Sequence, residues 1–313
     1  MIQSFRNSWN GYASGVAALG LLLGSAGSSV LAQADTASPE PDPALWSISY
    51  EDSTVYLFGD MPVLPSGLEW RTEKVSHALA ASSTVYLQID TVTQRTRMLA
   101  TNLPNRLGRN EEGIELSALL SEEALSNLEI LTERYGYPEG RLASFYAPFK
   151  PWFVTRNIFV LSIRDGGYRF DGGSEQDLYL QAAEDEKSFE YLDTLDQWFH
   201  YLNAMPMDQQ VASLEQLVNR GANNPDLFDQ QIDAWLRGDL AQIDQTFNAD
   251  LRNEAPDVFE YLIAERNRDY VPQIEAALAK REDVLMVIEI QYFTGEDGLI
   301  SMLEDQGHSV VRQ

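Results

Sequence analysis

Two short runs of nearly continuous apolar, β-forming residues open the ordered pattern of the chain, at positions 45–50 and 54–58. The polar triplet Glu51, Asp52, Ser53 separates them, which predicts a β-hairpin. Similar runs recur at 84–89 and 283–288. Continuous rather than alternating hydrophobicity suits strands covered on both faces. Between these runs the period changes to that of helices. Residues 69–81 predict one helix, and Ser121 caps another that carries Leu125, Leu128 and Leu131 toward Gly136. Val211, Leu214, Leu217 and Val218 form a stripe on a helix over 207–220. Phe259, Leu262, Ile263, Ile274 and Leu278 do so over 256–280. The order predicts an α/β domain, a mixed β-sheet packed with helices, whose mainly helical middle is an insertion.

The first 34 residues follow a different pattern. One basic residue, Arg6, precedes an apolar stretch at 15–24, and Ala32-Gln33-Ala34 ends it. A basic start, short apolar centre and small-residue end are the parts of a secretory signal peptide. The apolar stretch falls short of the roughly 20 residues of a membrane span. Residues 35–43 read as a flexible leader, and 44–313 as the folded domain. The expected location is periplasmic or secreted, with no integral membrane span once the signal is cleaved after Ala34.

Charge and composition then narrow the chemistry. Against 48 Asp and Glu stand 22 Lys and Arg, a formal charge of -26. Such a field repels phosphate backbones, so no nucleic acid is expected as a partner. There is no cysteine, which excludes thiol nucleophiles, disulfides and Cys-ligated zinc. The three histidines, His77, His200 and His308, match no ligand spacing. Gly166-Gly167 and Gly172-Gly173 bracket a turn-rich loop, not a phosphate cradle.

Several motifs resemble those of the TraB/GumN family, relatives of Tiki-type metal-dependent proteases. Residues 56–65, Tyr-Leu-Phe-Gly-Asp-Met-Pro-Val-Leu-Pro, look like the family's first signature, a strand followed by Gly-x-x-His. Residues 289–299, Glu-Ile-Gln-Tyr-Phe-Thr-Gly-Glu-Asp-Gly-Leu, look like its second. Segments 191–194, 234–240 and 265–268 resemble further family motifs in the same order. The resemblance implies a metal-dependent hydrolase site. Yet the first histidine's place is held by Pro62, after a retained Gly59, and the second by Tyr292. The family's glutamates are Gln88 and Asp193 here.

Proline offers no side-chain donor, glutamine carries no charge, and tyrosine ligates only as a phenolate, with an ordinary pKa of about 10. Losing two imidazoles and a carboxylate argues against the inherited chemistry, so no catalytic residue and no cofactor is expected. Arg266 and Asn267, where the family keeps a polar pair, are candidates to bind an anionic or peptide-like ligand. The plainer reading, given more weight, pairs Arg266 with Asp90 or Asp193 as a brace. The expected role is a non-catalytic paralogue binding a peptide or envelope protein. The alternative is a hydrolase or peptidase with a rewired carboxylate site. Asp60, Asp90 and Glu289 would then hold a divalent cation, hard ions preferring oxygen ligands. The chain's general acidity weighs against that.

Overall fold

The computed structural model describes residues 40–90, 93–165, 167–169, 173–224 and 226–313. The signal-like segment 1–34 and residues 35–39 of the leader lie outside them. Strands β1 (Leu45–Tyr50) and β2 (Ser53–Asp60) form the expected hairpin, closed by Glu51 and Asp52. Glu51 takes a left-handed φ of 51°, which allows the chain to reverse in two residues. β4 (Thr84–Ile89) and β7 (Val284–Glu289) are buried along their whole length, as their unbroken apolar runs predicted. With β6 (Ser188–Asp193) and β8 (Val310–Arg312) they make a six-stranded sheet in the order β6-β4-β7-β2-β1-β8. The first four run parallel, and β1 and β8 are antiparallel additions. A two-stranded pair, β3 (Leu64–Pro65) with β5 (Tyr168–Arg169), lies apart. Strand β8 is not among the strands expected from the sequence; its three residues carry too little pattern to announce one.

Helices fill the connections. The parallel strands need crossovers, and α1 (Glu73–Ala81) supplies the one from β2 to β4. It begins four residues later than the apolar pattern suggests, because the Thr72 side chain accepts from the Val75 N–H and fixes the start. The helical middle comprises α2 (Gln94–Leu107), α3 (Glu122–Arg134), α4 (Arg141–Tyr146), α5 (Pro151–Asp165) and α6 (Ser174–Glu184). After β6 follow α7 (Leu195–Ala204), α8 (Met207–Asn223) and α9 (Leu227–Leu236). Ser121 caps α3 as expected, accepting from the Ala124 N–H at 3.2 Å.

The run expected as one helix over 256–280 is divided. α10 (Leu240–Asp244) passes through a π-turn (Gln245–Ala249) into α11 (Asp250–Glu254). α12 (Pro256–Phe259) passes through a second π-turn (Glu260–Ala264) into α13 (Glu265–Leu278). A π-turn frees carbonyls from the regular ladder. In the first, the Thr246 carbonyl accepts instead from Gln231 Nε2 at 3.0 Å and Arg220 Nη2 at 2.8 Å. In the second, the Tyr261 carbonyl accepts from the Tyr201 hydroxyl. α14 (Leu299–Asp305) precedes β8. No helix among the described residues is long and apolar enough to cross a membrane.

Candidate functional site

The C-terminal ends of four adjacent parallel strands deliver Asp193, Gln88, Glu289 and Asp60 to one edge of the sheet. That edge is where open parallel sheets bind ligands. The register sets Asp60 directly beside Glu289. Both side chains are buried, at 2% and 5% exposure. Two like charges so placed are costly unless protons or donors intervene.

Asp60 finds its donors at the start of α6. Its Oδ1 accepts from the Ser174 hydroxyl and, at 2.7 Å, from the Glu175 N–H. Ser174 also accepts from the Met61 N–H and donates its own N–H to the Met61 carbonyl, both at 3.0 Å. The carboxylate thus caps a helix N-terminus, whose dipole favours negative charge. Burial still dominates and raises the Asp60 pKa to about 6. Glu175 follows in the same direction, driven by burial and then by the charges of Asp60 and Glu289. A third acid therefore joins the pair, one that no motif in the sequence announces. Ser174-Glu175 has the look of a helix start, but nothing along the chain places it against β2. The approach needs Gly173: a Cβ there would lie 2.0 Å from the Pro62 carbonyl oxygen. Gly59 is similarly constrained, since its Cβ would meet Ile290 Cδ1 at 2.2 Å.

Gln88 bridges three elements. Its Oε1 accepts from the Glu289 N–H at 2.9 Å, and its Nε2 donates to the Tyr270 hydroxyl on α13 at 3.2 Å. Tyr270 in turn donates to Asp193 Oδ2 at 2.9 Å and accepts from Arg266 Nη2 at 2.9 Å. Arg266 pairs with Asp193, and its guanidinium sits 5.1–5.2 Å from the rings of Trp198, Tyr201 and Tyr270. Asn267 donates to the backbone carbonyls of Tyr292 at 3.0 Å and Asp297 at 2.7 Å. So both members of the polar pair make internal bonds, and Arg266 has the partner that the bracing alternative names. Tyr292 packs edge-on against Tyr270, ring centroids 5.8 Å apart. Burial and the Glu289 charge push its phenol above the ordinary range, so it stays neutral.

Asp90 turns away from Asp60 and Glu289 toward the start of α2. It accepts from the Thr93 N–H at 3.2 Å and the Thr96 hydroxyl at 3.0 Å. Among the described residues no three His, Asp or Glu side chains are grouped so as to hold a metal ion. The residues at the motif positions do not fit such an ion either: Pro62 has no donor, Tyr292 is a neutral phenol, and both polar atoms of Gln88 are engaged. The histidines lie elsewhere. His77 and His200 are exposed on α1 and α7, and His308 Nε2 contacts Glu275 Oε1 at 2.9 Å.

A six-stranded mixed sheet with helical crossovers, carrying its polar network at the ends of the parallel strands, defines an α/β protein with a strand-end site. A family profile places it further: the TraB/PrgY/gumN family matches residues 44–312, and the chain belongs to that family. No curated protein and no solved structure gives a significant match.

Proposed function

We propose that this chain is an exported, non-catalytic member of the TraB/PrgY/gumN family that binds a peptide or protein partner in the cell envelope. The observation that carries this reading is the network at the strand ends. Pro62, Gln88, Asp193 and Tyr292 stand where the family resemblance expects ligands or catalytic groups. Gln88 is bound to Tyr270 and to the Glu289 backbone, and Asp193 to Tyr270 and Arg266. Such internal satisfaction stabilises a fold and leaves few groups poised to activate water. Export rests on the signal-like pattern of residues 1–34.

A second reading has one observation in its favour. Asp60, Glu175 and Glu289 converge, and burial moves Asp60 and Glu175 toward the range useful for proton transfer. That supports a hydrolase or peptidase whose carboxylates replaced the lost imidazoles.

One experiment separates the two. The chain from Asp35 onward, purified without a histidine tag, is analysed for bound metal by elemental mass spectrometry. Melting curves are recorded with Zn²⁺, Mn²⁺, Mg²⁺ and Ca²⁺. The non-catalytic reading expects no stoichiometric metal and no specific shift. A site filled at 100 times its Kd would stabilise by about 2.7 kcal/mol, easily visible. A stoichiometric ion that Asp60→Asn or Glu289→Gln removes would overturn it.

A further inference from the structure

Arg156, midway along α5, has no acid opposite it among the described residues. Several other arginines of this acid-rich chain pair with carboxylates: Arg220 with Asp250, Arg252 with Asp244, Arg266 with Asp193, Arg268 with Glu260. Arg156 makes no ion pair or hydrogen bond with any described residue, and its Nε is buried without a partner. Its guanidinium lies 5.6 Å from the Phe199 ring of α7. Burial lowers its pKa to about 10, and the titratable group acting on it is Tyr146, itself a buried, neutral phenol. A cation taken out of water and given only aromatic neighbours is destabilising.

A second orphan lies one helical turn earlier. Trp152 is 1% exposed, and its indole Nε1–H has no acceptor. Residues four apart share a helix face, so both unpartnered donors project from the same side of α5. Both also meet the same ring, the Trp152 and Phe199 centroids lying 6.2 Å apart. Arg156 is itself only partly buried, which gives a ligand a way in from its side.

We propose that Arg156 and Trp152 form an anion-recognition site between α5 and α7 that takes a single carboxylate carried on an apolar body. The planar guanidinium fork matches a carboxylate, and the indole N–H supplies a further donor. One fixed cation among neutral groups suits a monoanion better than a phosphate dianion. Trp152, Phe199 and Tyr146 provide apolar walls for what carries the charge. This site uses other side chains than the strand-end network, although α7 borders both, and it stands whether or not that network is catalytic.

The test is NMR titration of the mature chain with three probes: phenylacetate, phenylacetamide and inorganic phosphate. The Trp152 indole N–H resonance is assigned by its disappearance in Trp152→Phe. Phenylacetate is expected to move that resonance saturably, and the uncharged amide is expected not to. Arg156→Met should weaken phenylacetate binding at least tenfold while raising the melting temperature of the unliganded protein, because a half-buried cation with no acid partner among the described residues is gone. Absence of a saturable shift overturns the proposal, as do equal shifts with the amide or tighter binding of phosphate. If Arg156→Met fails to fold, the wild-type comparison of acid with amide decides alone. Calorimetric titration of Trp152→Phe should then show phenylacetate binding weakened severalfold, and unchanged affinity would overturn the role of the indole.

Discussion

Gln88 shows how much one atom matters at a buried site. Its amide donates to a Tyr270 hydroxyl already committed as donor to Asp193 and accepts from the Glu289 N–H. Gln88→Glu removes the donor and adds a fourth acid beside Asp60, Glu175 and Glu289. We expect a loss of about 1–3 kcal/mol at pH 7.5, measured by urea denaturation, that shrinks as the pH falls. Asp60 and Glu175 titrate upward on folding, so the native state holds protons that the unfolded state releases. Their stabilisation is fully present below the unfolded carboxylate range, near pH 4, and is lost as pH rises through about 6 and beyond. Glu175→Gln should therefore raise the melting temperature at pH 7.5, by roughly 2–4 °C per kcal/mol recovered, and change little at pH 4. An equal change at both pH values would mean the acids do not interact. Pro62, Gln88 and Tyr292 stand out in the sequence because motif-like segments flank them. Glu175 and Tyr270 are not, because they come from α6 and α13, far along the chain.

At the scale of elements, the strongest sequence signals are those tied to local chemistry. Ser121 marks a helix start through its hydroxyl, and the apolar runs mark β4 and β7 by burial on both faces, whereas the Thr72 cap sets the start of α1 four residues beyond where the apolar pattern begins. The π-turns are invisible to such reading. Their cost is offset by distant donors, Gln231, Arg220 and Tyr201, that no local pattern reveals. The docking of α6 against the end of β2 depends on a missing side chain at Gly173. Gly173→Ala should cost about 1–3 kcal/mol, since backbone opposes the new methyl and cannot move aside cheaply. A melting shift within error would show that the two segments separate without penalty. On α13, Arg266→Met leaves the part-buried Asp193 without its cation and should cost about 2–4 kcal/mol in denaturant unfolding. If Arg266 were held chiefly for a ligand, the same change would alter binding and leave stability nearly intact.

Charge governs the behaviour of the molecule as a whole. A formal charge of -26 makes the compact state repel itself. Raising NaCl from about 10 mM to about 0.5 M shortens the Debye length from about 30 Å to a few Å and should raise the melting temperature. A fall instead would mean that local ion pairs outweigh the net field. The sequence by itself determined the class of fold and the family, because periodicity and motif order are written along the chain. Tertiary structure alone decided that Asp60, Glu175 and Glu289 meet while Asp90 turns to α2. It also decided that Arg266 pairs with Asp193, while Arg156 has no acid partner among the described residues. These are facts of distance between segments far apart in sequence, set by strand order and helix docking, and no local pattern encodes them.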